Sequence, residues 1–251
     1  MQNQKASMHP ISIFINEAAE IFTKIGFDVL DGPEIEDDFH NFEALNFPPN
    51  HPAREMQDTF WLKKNNEADI ETLLRTQTSG VQIRTMIDHV KNNREYPIAM
   101  VAPGKVFRNE ATDATHEAQF YQIEALYVDK NVSVANLKWT AEHFLSEFFN
   151  KKITVRMRSS FFPFVEPGVE FDMSCFKCDG AGCSTCKHSG YIELGGAGMV
   201  HPKVLENCGI DSSVYNGFAF GFGIDRIVML RYGINDIRDL YNGDLRLVSQ
   251  F

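Results

Sequence analysis

Apolar side chains recur at helical spacing near the start of the chain, at Ile11, Phe14, Ile15, Ala18, Ile21, Phe22 and Ile25. Pro10 precedes them and Gly26 follows, the residues expected just inside the start and just past the end of a helix. Phe27-Asp28-Val29-Leu30 then alternates like a strand and ends at Gly32-Pro33. Pro48, Pro49 and Pro52 break any further period, so residues 41–58 are expected to form a long irregular loop, a kind that tends to be functional. Leu73-Leu74-Arg75-Thr76 reads as a strand running into a helix that begins near Ser79.

Two apolar runs, 98–101 and 120–128, flank the polar stretch 108–118, which predicts strand, long loop, strand. A helix is expected from Val134, with Leu137, Ala141, Phe144, Leu145 and Phe148 on one face and Ser133 as its cap. Short strands follow around 153–158, 169–173 and 191–194, and Phe218 to Gly223 leads into an apolar helix over 224–232. With no repeat or linker, the expected fold is one α+β domain over 1–251. Its sheet is mostly antiparallel and flanked by helices, with a small cysteine-rich hairpin insertion at 175–190.

Composition narrows the function. A chain of 251 residues, 43% hydrophobic, is long enough to bury a sizeable core. The 34 acidic against 24 basic residues give −10, which argues against sequence-blind polyanion binding but leaves room for local basic sites. No stretch has the roughly 20 apolar residues of a membrane span, and Met1-Gln2-Asn3-Gln4-Lys5 lacks the core of a signal peptide, so a soluble cytoplasmic protein is expected.

Four of the five cysteines fall in one segment, Cys175-x2-Cys178-x4-Cys183-x2-Cys186, with Gly180 and Gly182 between the pairs. Paired Cys-x-x-Cys turns close a tetrahedral thiolate shell, so structural zinc is favoured over an iron–sulfur cluster or a bare thiol pair. With four sulfur ligands no coordination position is left open for catalysis. Around the polar stretch, Arg108 leaves one strand and Phe120 enters the next, a placement that can hold a phosphate and a flat ring. By period two, Phe120, Gln122, Glu124 and Leu126 share a face, where two polar groups interrupt an apolar surface. A solvent-facing surface hairpin is the alternative. In Asn216-Gly217-Phe218-Ala219-Phe220-Gly221-Phe222-Gly223 the small residues Ala219, Gly221 and Gly223 also share a face, with Arg226 one turn on. A bare face lets a planar ligand lie on the sheet, or lets a helix pack closely.

Together these segments resemble the class II aminoacyl-tRNA synthetases, in particular the catalytic alpha subunits of bacterial-type phenylalanyl-tRNA synthetases. Further matching words are His51-Pro52-Ala53-Arg54, Asp58-Thr59-Phe60-Trp61, Arg75-Thr76-Gln77-Thr78-Ser79, Phe162-Pro163-Phe164-Val165-Glu166-Pro167, Gly198-Met199-Val200-His201-Pro202 and Arg231-Tyr232-Gly233. The resemblance implies a two-step reaction: the carboxylate of phenylalanine attacks the α-phosphorus of ATP, and a terminal ribose hydroxyl of tRNA(Phe) then takes the acyl group. It implies that Arg108 grips the α-phosphate, Glu110 meets the adenine amino group, His116 contributes to the ATP site, and Phe120 and Arg226 sandwich the adenine. The amino-acid site carries over to Ser79, Gln82, Gln122 and Glu124, with Phe162 and Phe164 against the substrate ring and Ala219 and Gly221 as the floor. Ser79 and Gln82 also fit a Ser-x-x-Gln capping box. Magnesium would bridge the outgoing phosphates, with Glu166 a candidate ligand. A beta subunit is the implied partner, in an alpha2–beta2 assembly. Gln77 and Gln57 stand where some members have a histidine and an aromatic residue, and the upstream helical arm that reaches tRNA in many members is expected to be absent. Two rival readings are a paralogue that forms the adenylate without charging tRNA and a non-catalytic binding subunit.

Overall fold

The computed structural model describes residues 7–49, 59–64, 66 and 70–251. The words His51-Pro52-Ala53-Arg54, Gln57 and Asp58 lie outside the described residues. Helix α1 (Pro10–Lys24) forms where the period predicts it, and His9 caps its N-terminus through an Ile11 N–H to imidazole bond of 3.3 Å. The strand that follows is only two residues, β1 (Asp28–Val29). Next come β2 (Ile35–Asp37), a π-helical turn (Phe39–Glu43), β3 (Thr72–Leu74) and helix α2 (Ser79–Lys91). The expected loop over 41–58 therefore does not begin as irregular chain. Asn41, Phe42, Ala44, Leu45 and Phe47 are all buried, and packing of those side chains, rather than any repeating pattern, holds the turn.

The predicted hairpin is β4 (Ile98–Phe107) and β5 (Gln119–Asp129), both longer than their apolar runs. Helix α3 (Val134–Phe149) starts at Ser133, whose backbone N–H donates to Asn136 Oδ1 at 2.9 Å. The remaining elements are β6 (Val155–Ser159), β7 (Val165–Ser174), β8 (Tyr191–Val200), α4 (Pro202–Asn207), β9 (Asn216–Gly223), α5 (Ile224–Tyr232), a 3-10 turn (Ile237–Leu240) and the short α6 (Leu245–Val248). Strands β7 and β8 outrun their predicted bounds because glycines, which carry no strand signal, continue both of them.

Seven strands form one sheet in the order β1-β4-β5-β9-β8-β7-β6, and every neighbouring pair is antiparallel except β1 with β4. The sheet separates two apolar layers. Phe218, Phe220 and Phe222 of β9 pack with Phe14 and Phe22 of α1 and Phe144 of α3. Phe14 meets Phe222 edge-on at 6.4 Å, and Phe22 stacks on Phe144 at 4.8 Å. On the opposite side Leu126 and Val128 of β5 join Val81, Ile83 and Met86 of α2 with Phe42 and Phe47. Strand alternation thus commits the phenylalanines of β9 to one layer and leaves its small residues facing the other. Among the described residues no helix is long and apolar enough to cross a membrane.

Candidate active site

The antiparallel register places the two chemistry-bearing strands face to face. Gln122 pairs with Gly223, Glu124 with Gly221 and Leu126 with Ala219, so the polar row of β5 lies beside the bare row of β9. Gly221 in turn pairs with Gly196 of β8. Side chains, not a helix, lean over these glycines. A Cβ at Gly221 would stand 2.5 Å from Glu124 Cγ, and one at Gly196 would stand 3.0 Å from Phe162 Cζ.

Above this floor opens a cavity of about 620 Å³, within the size range of small-molecule sites. Arg108, Ser79, Gln82, Gln122, Glu124, Phe162, Phe164, Ala219 and Gly221 all line it. The amino-acid set named from the sequence is therefore gathered in one place. Phe162 and Phe164 stack at 5.6 Å, and Phe47 backs Phe164 at 5.7 Å. Leu45, Phe47, Val200, Val204 and Gly196 also line the cavity, and sequence reasoning did not name them as site residues; Gln77, noted from the sequence as a departure at the edge of the site, lines it too. Leu45 and Phe47 fell in a stretch read as loop, and their apolar character so close to Pro48 was the available signal.

One end of the cavity is polar. Ser79 Oγ donates to Glu124 Oε2 at 2.6 Å and Gln82 Nε2 donates to the same oxygen at 2.9 Å. This corrects the capping-box reading: Thr78 occupies the cap position, and Ser79 and Gln82 turn instead to a buried carboxylate that needs donors. Burial pushes the Glu124 carboxyl above its usual range, against the Ser79 hydroxyl and the Arg108 charge, which favour its ionised form. Gln122 Oε1 is buried there with no hydrogen-bond partner among the described residues. The Gln122 and Glu124 acceptors thus face a cavity whose remaining walls are mostly apolar, with Arg108 and Gln77 the further polar groups that line it.

Of the groups expected around ATP, Arg108 lines the cavity. The Arg108 guanidinium lies 5.1 Å from the Phe120 ring centroid. Burial lowers its pKa while Glu110 and Glu124 oppose that, and a guanidinium stays charged throughout. Tyr121 N–H donates to Asp225 Oδ2 at 2.7 Å, which fastens the first turn of α5 to β5 and puts Arg226 and Phe120 on neighbouring segments. Arg226 is exposed, and Phe120 and Glu110 are half-buried. His116 is exposed and bonds Asp113 at 3.0 Å. Glu110, His116, Phe120 and Arg226 do not line the cavity itself. Glu166 is exposed at the start of β7, and no group of three ligating side chains forms around it among the described residues.

The chain between β7 and β8 folds the cysteines into a knot. Cys175, Cys178, Cys183 and Cys186 hold their sulfurs within 4.8 Å of one another, with Cys175–Cys183, Cys178–Cys186 and Cys183–Cys186 all at 3.8 Å. A tetrahedron with Zn–S bonds of about 2.3 Å has edges of about 3.8 Å. Gly182 N–H and Cys183 N–H point at the Cys178 and Cys186 sulfurs, at 3.2 and 3.1 Å. The backbone N–H of Cys186 lowers the Cys183 thiol to about 6, while burial raises Cys175 to about 11.

The chain matches known proteins in sequence along nearly its full length. Residues 1–251 match the family described as tRNA synthetases class II core domain (F). The chain is 53% identical over 249 residues to the phenylalanine--tRNA ligase alpha subunit of Cytophaga hutchinsonii, covering 99% of this chain and 70% of that protein. It is 52% identical over 243 residues to the alpha subunits of Clostridium perfringens and Bacillus licheniformis, covering 97% of this chain and 68% of each of theirs. An antiparallel sheet carrying this cavity, with such similarity along nearly its full length, belongs to the phenylalanine--tRNA ligase alpha-subunit family of class II tRNA synthetases.

Proposed function

We propose that the chain activates L-phenylalanine with ATP and transfers it to the terminal ribose of tRNA(Phe), as the catalytic alpha subunit beside a beta partner. The observation that carries this reading is the polar end of the cavity. Glu124 and the unpartnered Gln122 Oε1 suit a substrate ammonium, while Phe162, Phe164 and Ala219 suit a benzyl ring. The substrate carboxylate then points towards Arg108, the cation at the same cavity. Because the attacking oxygen is already anionic, the step needs alignment and charge neutralisation, not a protein base. The carboxylate oxygen bonds to the α-phosphorus as the bond to pyrophosphate breaks, and Arg108 neutralises the charge gathering on the α-phosphate. Phe120 and Arg226 would stack on the two faces of the adenine, with Glu110 accepting from its amino group and His116 on the outer loop.

Magnesium would neutralise the departing pyrophosphate, but the described residues assemble no donor set around Glu166, and no step is derived through the ion. The cysteine knot fits one zinc ion, held by Cys175, Cys178, Cys183 and Cys186, and its place outside the cavity suits a structural role. The decisive experiment is phenylalanine-dependent ATP–pyrophosphate exchange, with and without a co-expressed beta subunit, followed by charging of tRNA(Phe). No exchange under either condition refutes the activation step, and exchange without charging would favour the paralogue reading.

A further inference from the structure

The stretch from the π-helical turn to Phe47 is bonded to three separate walls of the cavity. Asn41, fully buried, donates from Nδ2 to Thr76 Oγ1 at 3.0 Å and accepts from Thr76 N–H at 3.2 Å, while its backbone carbonyl accepts from Gln77 Nε2 at 3.1 Å. Asn207 Nδ2 of α4 donates to the Ala44 carbonyl at 3.2 Å. Asn46 Nδ2 donates to the Pro163 carbonyl at 2.7 Å. Pro163 stands between Phe162 and Phe164 and has no backbone N–H of its own, so its carbonyl is its one main-chain handle. Asn46 has φ of +65°, a left-handed conformation that asparagine tolerates better than most residues. We propose that Asn46 is a specificity-determining positioning residue: through Pro163 it fixes the height of the Phe162–Phe164 pair above the Ala219–Gly196 floor. It reads the size of the substrate ring without touching the substrate. This rests on the phenylalanine reading of the cavity.

Glycine at position 46 accepts the positive φ and deletes the amide, which separates the tether from the backbone shape. In ATP–pyrophosphate exchange by the alpha–beta assembly, Asn46→Gly is expected to raise KM for phenylalanine by about 3- to 10-fold, the worth of one hydrogen bond, and to leave KM for ATP within about 2-fold. The preference for phenylalanine over 4-chlorophenylalanine in kcat/KM is expected to fall by the same factor of about 3 to 10. Asn46→Asp keeps the size but sets a carboxylate oxygen against the Pro163 carbonyl, and is expected to shift both readings in the same direction by at least as much. If both variants keep the wild-type KM for phenylalanine and the wild-type preference, the inference is overturned. A fall in melting temperature with those two values unchanged overturns it equally, because it would show scaffolding alone. Absence of phenylalanine-dependent exchange in the wild type would remove the underlying reading and this inference together, whereas an active wild type with unaltered variants removes only the inference.

Discussion

Replacing Gly221 by alanine tests how the cavity floor serves its polar end. The added Cβ stands 2.5 Å from Glu124 Cγ, so Cγ must retreat by about 0.9 Å to reach ordinary van der Waals contact at 3.4 Å. Glu124 is not free to drift, because Ser79 Oγ at 2.6 Å and Gln82 Nε2 at 2.9 Å hold the same carboxylate oxygen. A displacement of that size stretches both bonds and carries the carboxylate away from the ammonium it is proposed to meet. Misplacing a positioning group by about 1 Å costs on the order of 100-fold. The expected result is a loss of about that factor in kcat/KM for phenylalanine, seen mostly in its KM, with KM for ATP little changed. Gly223→Ala is the matched control: it lies on the same face of the same strand beside Gln122, and its Cβ would meet nothing within 4 Å. Steady-state pyrophosphate exchange reads both variants, and a melting curve confirms that each is folded. A folded Gly221→Ala chain with the KM of wild type for phenylalanine, or equal losses in both variants, would refute the reasoning.

Three further outcomes are expected. Ala219→Gly removes a methyl from the floor and should admit para-substituted phenylalanines in the exchange assay, and equal exclusion by wild type and variant counts against Ala219 as the floor. Metal analysis should find about one zinc per chain, and Cys178→Ser should lose it together with thermal stability, since tetrathiolate sites of this kind are structural; a metal-free chain that is fully folded and active refutes this. Asp172, 2% exposed, accepts from Arg156 and Arg158 at 2.7–3.0 Å. Burial raises its pKa, but the Arg158 and Arg156 bonds outweigh that and hold it below the usual 3.8. A depressed folded pKa stabilises above the unfolded value and the benefit is lost as pH falls, so Asp172→Asn should cost about 1.5–3 kcal/mol at neutral pH. Denaturant titrations should show that difference shrinking as pH falls below 3.8, and a constant difference would contradict the assignment.

Much of the site was legible because strand alternation is a strict rule. Once β5 and β9 are strands, period two alone separates Gln122 and Glu124 from Ile123 and Ala125, and Ala219 and Gly221 from the phenylalanines. Register was not legible, since nothing local says that Glu124 faces Gly221 or that Gly196 extends the floor. Glycines hid the inner half of β8 for the same reason they were placed there: they offer no side chain to carry a period. The π-helical turn was missed because it is shorter than any window in which a period can be counted, and what holds it is tertiary: burial of Asn41, Phe42 and Phe47 and the bonds of Asn41 to Thr76 and Gln77. Ser79 and Gln82 matched a local motif but obey a tertiary demand, a buried carboxylate 45 and 42 residues away in sequence.

Strand β8 leaves the cysteine-rich bend at Tyr191 and reaches the cavity at Gly196. Its pairing with β7 already absorbs two irregularities, between Val165 and Gly168 and between Phe171 and Asp172. A slip of one residue along that ladder would turn Gly196 over and present the opposite surface of the strand beneath Phe162. The closed end of the hairpin therefore behaves like the stop of a zip fastener, and an alteration there could misalign the substrate without a single atom of the pocket being changed.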